Sequence, residues 1–518
     1  MIDRMLWGWS NSHFRRAVPW VAAGLASGLL VAWLDPLEIV LLSLLVGVAV
    51  GSFFEPLVGV IAGLLFGPLR AWLAIYAPTI PDQLGQGFFV LGAAGWVARG
   101  LLRRELRLML GPLALPLFLF LGAGLLSLWS PFDVWGGFTE WAKWAQVALT
   151  LWVVGERLQG AKAQQRAAAL IIALGAIAVG QGLLGVWQHR LSGEAPSHFL
   201  IAPGIYRAYG TFMQPNPFGG FLGLLGALLA GIALVSVWEM VSARTPAPRW
   251  LWLVVGAVLA IAGGVYGSWS RGAWLGFGAA LAVMAALLPR RSVWGLVLVA
   301  VFAGGVLLLM AADALPASVE ARLTDFAAYL SFANVRGVGI NDANYAVIER
   351  MAHWQAALGM WETHFWTGVG IGNYEAAYPL FRLVNWPYAL GHAHNFYLNL
   401  LAETGIIGLG AYLLLFAAIY VRLYQASRSF SGWYRGLALG LVGAWTHISV
   451  HSMVDNLYVN NVHLHVGVLL ALTAWLVCLQ RERQITAGQT TAGQTTAGQI
   501  TAGQTTAGQS TAGQGTAQ

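Results

Sequence analysis

Charge is scarce in this chain. Only 9% of its 518 residues are Asp, Glu, Lys or Arg, against 58% hydrophobic. That balance excludes an ordinary soluble domain with a solvated surface. Cysteine is almost missing: Cys478 stands alone, inside the last apolar run. Disulfides therefore play no part, and the redox compartment is left unmarked. Short segments of alternating polarity, which a membrane barrel needs, are also lacking. What is present is a series of apolar runs, each long enough to cross a bilayer as a helix, about fourteen (12–14) in all. They begin with AVPWVAAGLASGLLVAWL (17–34) and end with 462–479. The expected fold is all-α: a polytopic helical membrane protein.

The first run follows Arg15 and Arg16 but ends in no small-residue cleavage site, so it is read as a retained helix. The run at 57–77 is the weakest, because Arg70 interrupts it. Small-residue series such as Gly47/Gly51 and Gly59/Gly63/Gly67 suit close helix packing, and the 25 tryptophans suit interfacial belts.

The net charge of +7 is explained by topology and gives no reason to expect nucleic acid. With the N-terminus in the cytoplasm, most of the 28 basic residues fall on inside connections, as the positive-inside rule asks. Both termini are then cytoplasmic. The exceptions are Arg70, Lys143, Arg190, Arg207, Arg271, Arg322, Arg336, Arg350 and Arg382. All but Arg70 fall at or beyond the outer face, where anion binding is an evident reason for them.

Three parts follow along the chain. Residues 1–187 hold the N-terminal membrane helices. Residues 188–480 hold the remainder, including a long outer segment at 313–404, too long to be a structureless connection. In NYAVIERMAHWQAALGMWETHF, Ile348, Met351, Trp354 and Leu358 recur at helical spacing, which predicts short amphipathic helices on the outer surface around the turn GVGIGNY (368–374). Residues 481–518 form a tail of TAGQT-like repeats with too little apolar content to bury a core, expected to be disordered.

The strip GHAHNFYLNLLAETGIIG (391–408) is unusually polar for the mouth of an apolar run. Asn395 is placed to cap a helix that Gly405 would break. Asn395, Asn399 and Glu403 then share one face, with His392 and His394 just upstream near the positive end of the helix dipole. Two imidazoles at a membrane edge suit proton transfer near neutral pH. Elsewhere, GSWSRGAWLGF (267–277) strands Arg271 between two apolar runs, and YRAYGTFMQPNPFGG (206–220) brings Arg207 and a proline-framed Asn216. A guanidinium so close to hydrocarbon requires an anionic partner.

These segments, SRGAWLG, RAYGTFMQPN, ERMAHWQAALGMWETHFWTGVGIGNYEAAYP and above all HAHNFYLNLLAETGIIG, resemble the O-antigen ligase family and its related polymerases over roughly residues 200–470. The most specific part is His394, Asn395, Glu403, Gly405 and Gly408. The resemblance implies a GT-C-like glycosyltransferase of the bacterial inner membrane, needing no metal or other cofactor. Its donor would be a glycan on undecaprenyl pyrophosphate, and its acceptor a lipid, glycan or protein hydroxyl on the periplasmic face. His394, then His392, would be the base, and Glu403 would orient the imidazole or bind sugar. Arg271, Arg207, Arg350 and Arg382 would hold the pyrophosphate. Asn395, Asn399, Asn216, His451 and Asp455 would support them.

Two other readings are open. His447, His451 and Asp455 stand at four-residue steps, a spacing that can bind zinc, but no Glu-Xaa-Xaa lies between the histidines and no cysteine partners them; a hydrogen-bonded rim of the outer cavity accounts for them instead. A transporter of inorganic carbon or another small solute would carry ionisable groups near the bilayer midplane, whereas these runs are nearly free of charge. A polysaccharide polymerase would differ from a ligase only in what fills the acceptor pocket.

Overall fold

A computed structural model of the chain describes residues 35–106, 111–314, 319–320, 334–341 and 344–510. The first apolar run, 17–34, and Arg322 lie outside the described residues. Helix dominates; one two-stranded antiparallel sheet, β1 (Leu200–Ala202) with β2 (Ile205–Tyr206), interrupts it.

The chain forms two compact units. In the first, residues 1–62 and 87–106, helix α1 (Pro36–Phe54) opens with proline in its first turn, where a missing N–H costs nothing. Helix α2 (Leu57–Phe66) begins in this unit, and the later part of α4 (Leu84–Arg103) passes it so closely that a Cβ at Gly92 would lie 2.9 Å from the Pro56 carbonyl oxygen. Gly59 is in the same tight crossing, whereas Gly47 faces open space.

The second unit, residues 63–86 and 107–518, carries the remaining elements. In the run that Arg70 interrupts, a 3-10 turn at Gly67–Leu69 stands between α2 and α3 (Arg70–Tyr76), yet Leu57–Tyr76 taken together is long and apolar enough to span a bilayer. Next come α5 (Ala114–Ser127), α6 (Val134–Arg157), α7 (Ala163–Arg190), α8 (Pro215–Ala243), α9 (Arg249–Gly267), α10 (Arg271–Leu287) and α11 (Ser292–Ala311). Across the long outer segment lie α12 (Tyr345–Thr363) and α13 (Tyr374–Phe381), followed by α14 (Phe396–Ser429), α15 (Gly432–His451) and α16 (Val462–Ser510). The backbone of α16 thus continues into the repeat tail, whose composition gives it no apolar face to pack.

Helix α8 is the centre of the unit, buried along most of its length and packed on α7, α9, α10 and α15. Its glycines make this possible: at Gly231 and Gly436 the backbones of α8 and α15 approach without intervening side chains. Such contact replaces the hydrophobic drive that lipid cannot supply.

Eight of the described helices are long and apolar enough to span a bilayer, and Ala114–Ser127 and Arg271–Leu287 are shorter apolar helices. The expected amphipathic helix of the outer segment is α12, with Ile348, Met351 and Trp354 buried.

Candidate active site

The polar strip folds as its capping residue dictates. Asn395 Oδ1 accepts from the backbone N–H groups of Tyr397 and Leu398, both at 3.0–3.1 Å, and starts α14. Ten residues after Asn395, Gly405 (φ 62°, ψ −166°) breaks the helical geometry, a backbone region essentially reserved for glycine. At this break the turn of the outer segment is clasped against α14. Val369 N and Gly370 N donate to the carbonyls of Ala402 and Glu403, and Ile406 N donates to Phe365 O. Gly368, Gly370 and Gly372 all have positive φ, which is why the turn is glycine-rich. The Glu403 carboxylate accepts from Tyr374 N at 3.1 Å, and Asn399 Oδ1 accepts from Ala393 N at 3.1 Å. Asn399 thereby fixes the loop that carries the histidines, and Glu403 the start of α13. Asn399 and Glu403 also line a cavity of about 210 Å³ with Glu140, Glu375, Trp144 and Phe396.

His392 and His394 meet on the carboxylate of Asp455. His392 Nε2 lies 3.7 Å and His394 Nδ1 3.8 Å from the same Asp455 oxygen, too long for hydrogen bonds but close for charge interaction. Asp455 reaches them because Phe396 N donates to Ser452 O, tying the start of α14 to the end of α15. His392 Nδ1 accepts from His394 N at 3.0 Å, so neutral His392 carries its proton on Nε2, facing Asp455. Burial, then His394, pushes the His392 pKa down to about 4, Asp455 opposing and Arg350 adding to the fall. For Asp455, burial favours the neutral acid, but His394, His392 and His451 outweigh it and hold the carboxyl below the usual carboxylate range. His394 has positive φ (53°), and neither of its ring nitrogens has a hydrogen-bond partner in the structure.

Under this cluster lies His353 of α12, fully buried and edge-on to His394 at 5.8 Å. Its Nδ1 pairs with Tyr374 Oη at 2.9 Å. Sequence reasoning missed it, although it stands three residues after Arg350 and so on the same helical face.

The arginines divide. Arg207 donates from Nε to Ser268 O at 3.1 Å and from Nη2 to Asn216 Oδ1 at 2.9 Å, bringing the RAYGTF loop onto the turn that precedes Arg271. Two glutamines of α7 hold that loop: Gln188 accepts from Tyr209 N and Gly210 N, and Gln181 from Thr211 N. Arg271 opens α10 behind its Ser270 cap. Its neighbour Gly272 lets α10 approach the His451 ring, which a Cβ there would meet at 3.3 Å, and His451 O accepts from Asp455 N. Arg350 acts on His392 electrostatically. Arg382 is the outlier: it is exposed and donates to Pro387 O at 3.3 Å, on the loop ahead of the histidines.

His447 and His451 do not build the metal set that their spacing suggested. Each is fully buried in a slot between a glycine of α8 and one of α10: Gly223 and Gly276 for His447, Gly220 and Gly272 for His451. Among the described residues the donor set that converges is His392, His394 and Asp455, with ligand atoms within 4.8 Å of one another. Two imidazoles and a carboxylate are a fitting set for a divalent ion.

Residues 256–413 match the O-antigen ligase family. The matched segment runs from within α9 to within α14 and holds Arg271, Arg350, Arg382, His392, His394, Asn395, Asn399 and Glu403. Arg207, Asn216, His451 and Asp455 lie outside it. No curated protein matches the chain. The apolar helices describe a multi-pass membrane protein, and the match places an O-antigen ligase-like segment within it.

Proposed function

We propose that this protein is a membrane glycosyltransferase that moves a glycan from an undecaprenyl pyrophosphate carrier to an acceptor hydroxyl on the periplasmic face, without a metal and with inversion at the anomeric carbon. One observation carries the reading: the Asp455 carboxylate meets His392 and His394 at the loop that opens the family's most specific motif, where Arg350 acts on His392 electrostatically.

A sugar or lipid hydroxyl is a poor nucleophile until its proton is removed. His392 has both ring nitrogens committed, Nδ1 to a backbone N–H and Nε2 towards Asp455. That leaves His394 as the base: with Nδ1–H turned to Asp455, its Nε2 lone pair takes the acceptor proton. The acceptor oxygen then bonds to the anomeric carbon as the bond from that carbon to the phosphate oxygen breaks. The electron pair leaves with the pyrophosphate, and Asp455 stabilises the imidazolium. Arg271, Arg207, Arg350 and Arg382 supply fixed positive charge for the leaving group. The acceptor distinguishes a ligase from a polymerase. Glu403 serves as a positioning residue through the Tyr374 backbone.

Purified protein given carrier-linked glycan and a candidate acceptor should transfer the glycan in excess EDTA. His394→Ala and Arg271→Ala should each lower the rate by about 10²-fold or more, at unchanged thermal unfolding. Full activity in either variant would remove that residue from the mechanism. Loss of wild-type activity in EDTA, restored by a divalent ion, would instead make His392, His394 and Asp455 ligands.

A further inference from the structure

A second charged pocket, open to the surface, lies on the far side of the loop that carries Asp455. Its volume is about 430 Å³, and Arg70, Asp82, Lys143, Tyr458, Asn460 and Asn461 are among the residues that line it. Three separate stretches converge here: the broken segment 67–82, helix α6 and the 452–461 loop. Arg70 Nε is paired with Asp82 at 3.1 Å, and Lys143 with Glu140 one turn earlier on α6. Asp82 and the Gln83 side-chain oxygen engage Arg70 through Nε and Nη2, and Glu140 engages one of the three Lys143 ammonium donors. The ion pairs therefore aim the two cations without exhausting them, while Glu140 itself lines the other cavity.

The 452–461 loop is shaped to complete the wall. Asn460 (φ 48°) and Asn461 (φ 62°) are successive left-handed residues, a costly conformation that asparagine tolerates best among residues with a Cβ. Asn461 is held there by Gln86 Nε2 at 2.8 Å, and Gly67 leaves room for its Cβ at 3.3 Å. Tyr458 forms the partition between the two cavities. Its ring lies 4.8 Å from Trp144 and 4.6 Å from Phe396, which line the cavity of Asn399 and Glu403. Phe396 is two residues past His394. One aromatic wall thus separates a cavity lined by carboxylates from one lined by two cations and the Asp82 carboxylate.

We infer that the cavity of Arg70 and Lys143 is an anion subsite that receives a phosphate-bearing group of the second substrate, next to the histidine cluster. This rests on the transferase reading for the name of the substrate, but the anion site itself does not. Transfer requires two substrates at once. Arg350 acts on His392 from α12, whereas Arg70 and Lys143 line the cavity with Tyr458. A phosphate held there would anchor an acceptor while its hydroxyl faces His394. Phosphate chemistry is common to a lipid headgroup and to a free or sugar-borne phosphate.

Lys143 and Lys162 are the only lysines in the chain, which gives a clean readout. Full-length protein in phosphatidylcholine nanodiscs is treated with an amine-acetylating reagent, and the rate at Lys143 is read against Lys162 by peptide mass spectrometry. One arm adds inorganic pyrophosphate at matched ionic strength. A second replaces part of the lipid with phosphatidylglycerol. We expect at least about fivefold protection of Lys143 in one arm or both, lost in Arg70→Gln and kept in Arg70→Lys, since a charge-assisted contact is at stake. Protection by pyrophosphate assigns the site to a phosphate in solution or on a sugar; protection by phosphatidylglycerol alone assigns it to a headgroup. An unchanged Lys143 to Lys162 ratio in both arms overturns the inference. Protection in a protein that never transfers glycan would retain the anion site and reject the transferase reading. Transfer without protection would do the reverse.

Discussion

At the scale of single residues, the division of labour between the two imidazoles is the main result. The resemblance ranks His394 first, and His394 is the one that adjoins the Asn395 cap. The physical reason for that ranking is one backbone hydrogen bond, His394 N to His392 Nδ1, which commits His392 and leaves His394 to act. His353 was invisible for a different reason: it sits among apolar residues on α12, where a histidine looks like any partly polar member of an amphipathic face. Its environment makes a prediction. Burial, then His394 and His392, pushes its pKa from 6.5 down to about 3. The folded state therefore holds it neutral, and the unfolded chain binds more protons between those limits. That contribution to stability is complete above about pH 6.5 and is lost as pH falls towards 3. The thermal unfolding midpoint, followed by tryptophan fluorescence, should drop between pH 7 and pH 4.5. His353→Gln should flatten that slope, and an equal slope in the variant would assign the acid sensitivity elsewhere.

At the scale of elements, the polar strip was legible and its surroundings were not. The Asn395 cap and the Gly405 break are local: one needs a side-chain acceptor before a helix, the other a backbone that only glycine adopts, and both are written in consecutive residues. The partner of that break is the 365–372 segment, distant in sequence, and only folding brings it there. The glycine slots around His447 and His451 were hidden for the same reason, because the glycines belong to α8 and α10 and the rings to α15. Gly405→Ala should be severe. Its φ of 62° with ψ −166° is strained for alanine, and the added Cβ would overlap the Trp366 backbone. A loss of about 3 kcal/mol or more is expected, seen as reduced yield in membranes and a lower unfolding midpoint. Wild-type yield and midpoint would show that the clasp relaxes freely.

At the scale of the whole molecule, composition carried the class, because the bilayer imposes length and polarity on every crossing, and charge asymmetry gives an expected orientation. The number of crossings was harder to read: α6, α10 and α15 are not among the spans that length and hydropathy pick out, yet each is a helix packed within the protein. Orientation is open to direct measurement. With Cys478 changed to Ser, a cysteine at Val384, on the loop before the histidines and 94% exposed, should react with an impermeant maleimide in right-side-out vesicles. One at Ser431, between α14 and α15, should react only after permeabilisation; the opposite pattern would invert the topology. The claim on which the function rests is that His394 takes the acceptor proton, and chemical rescue tests it most directly. Transfer by His394→Ala, measured with carrier-linked glycan and acceptor, should recover with added free imidazole in proportion to its unprotonated form. A variant that stays inactive with imidazole while binding both substrates normally, or one that is active without it, would contradict the account.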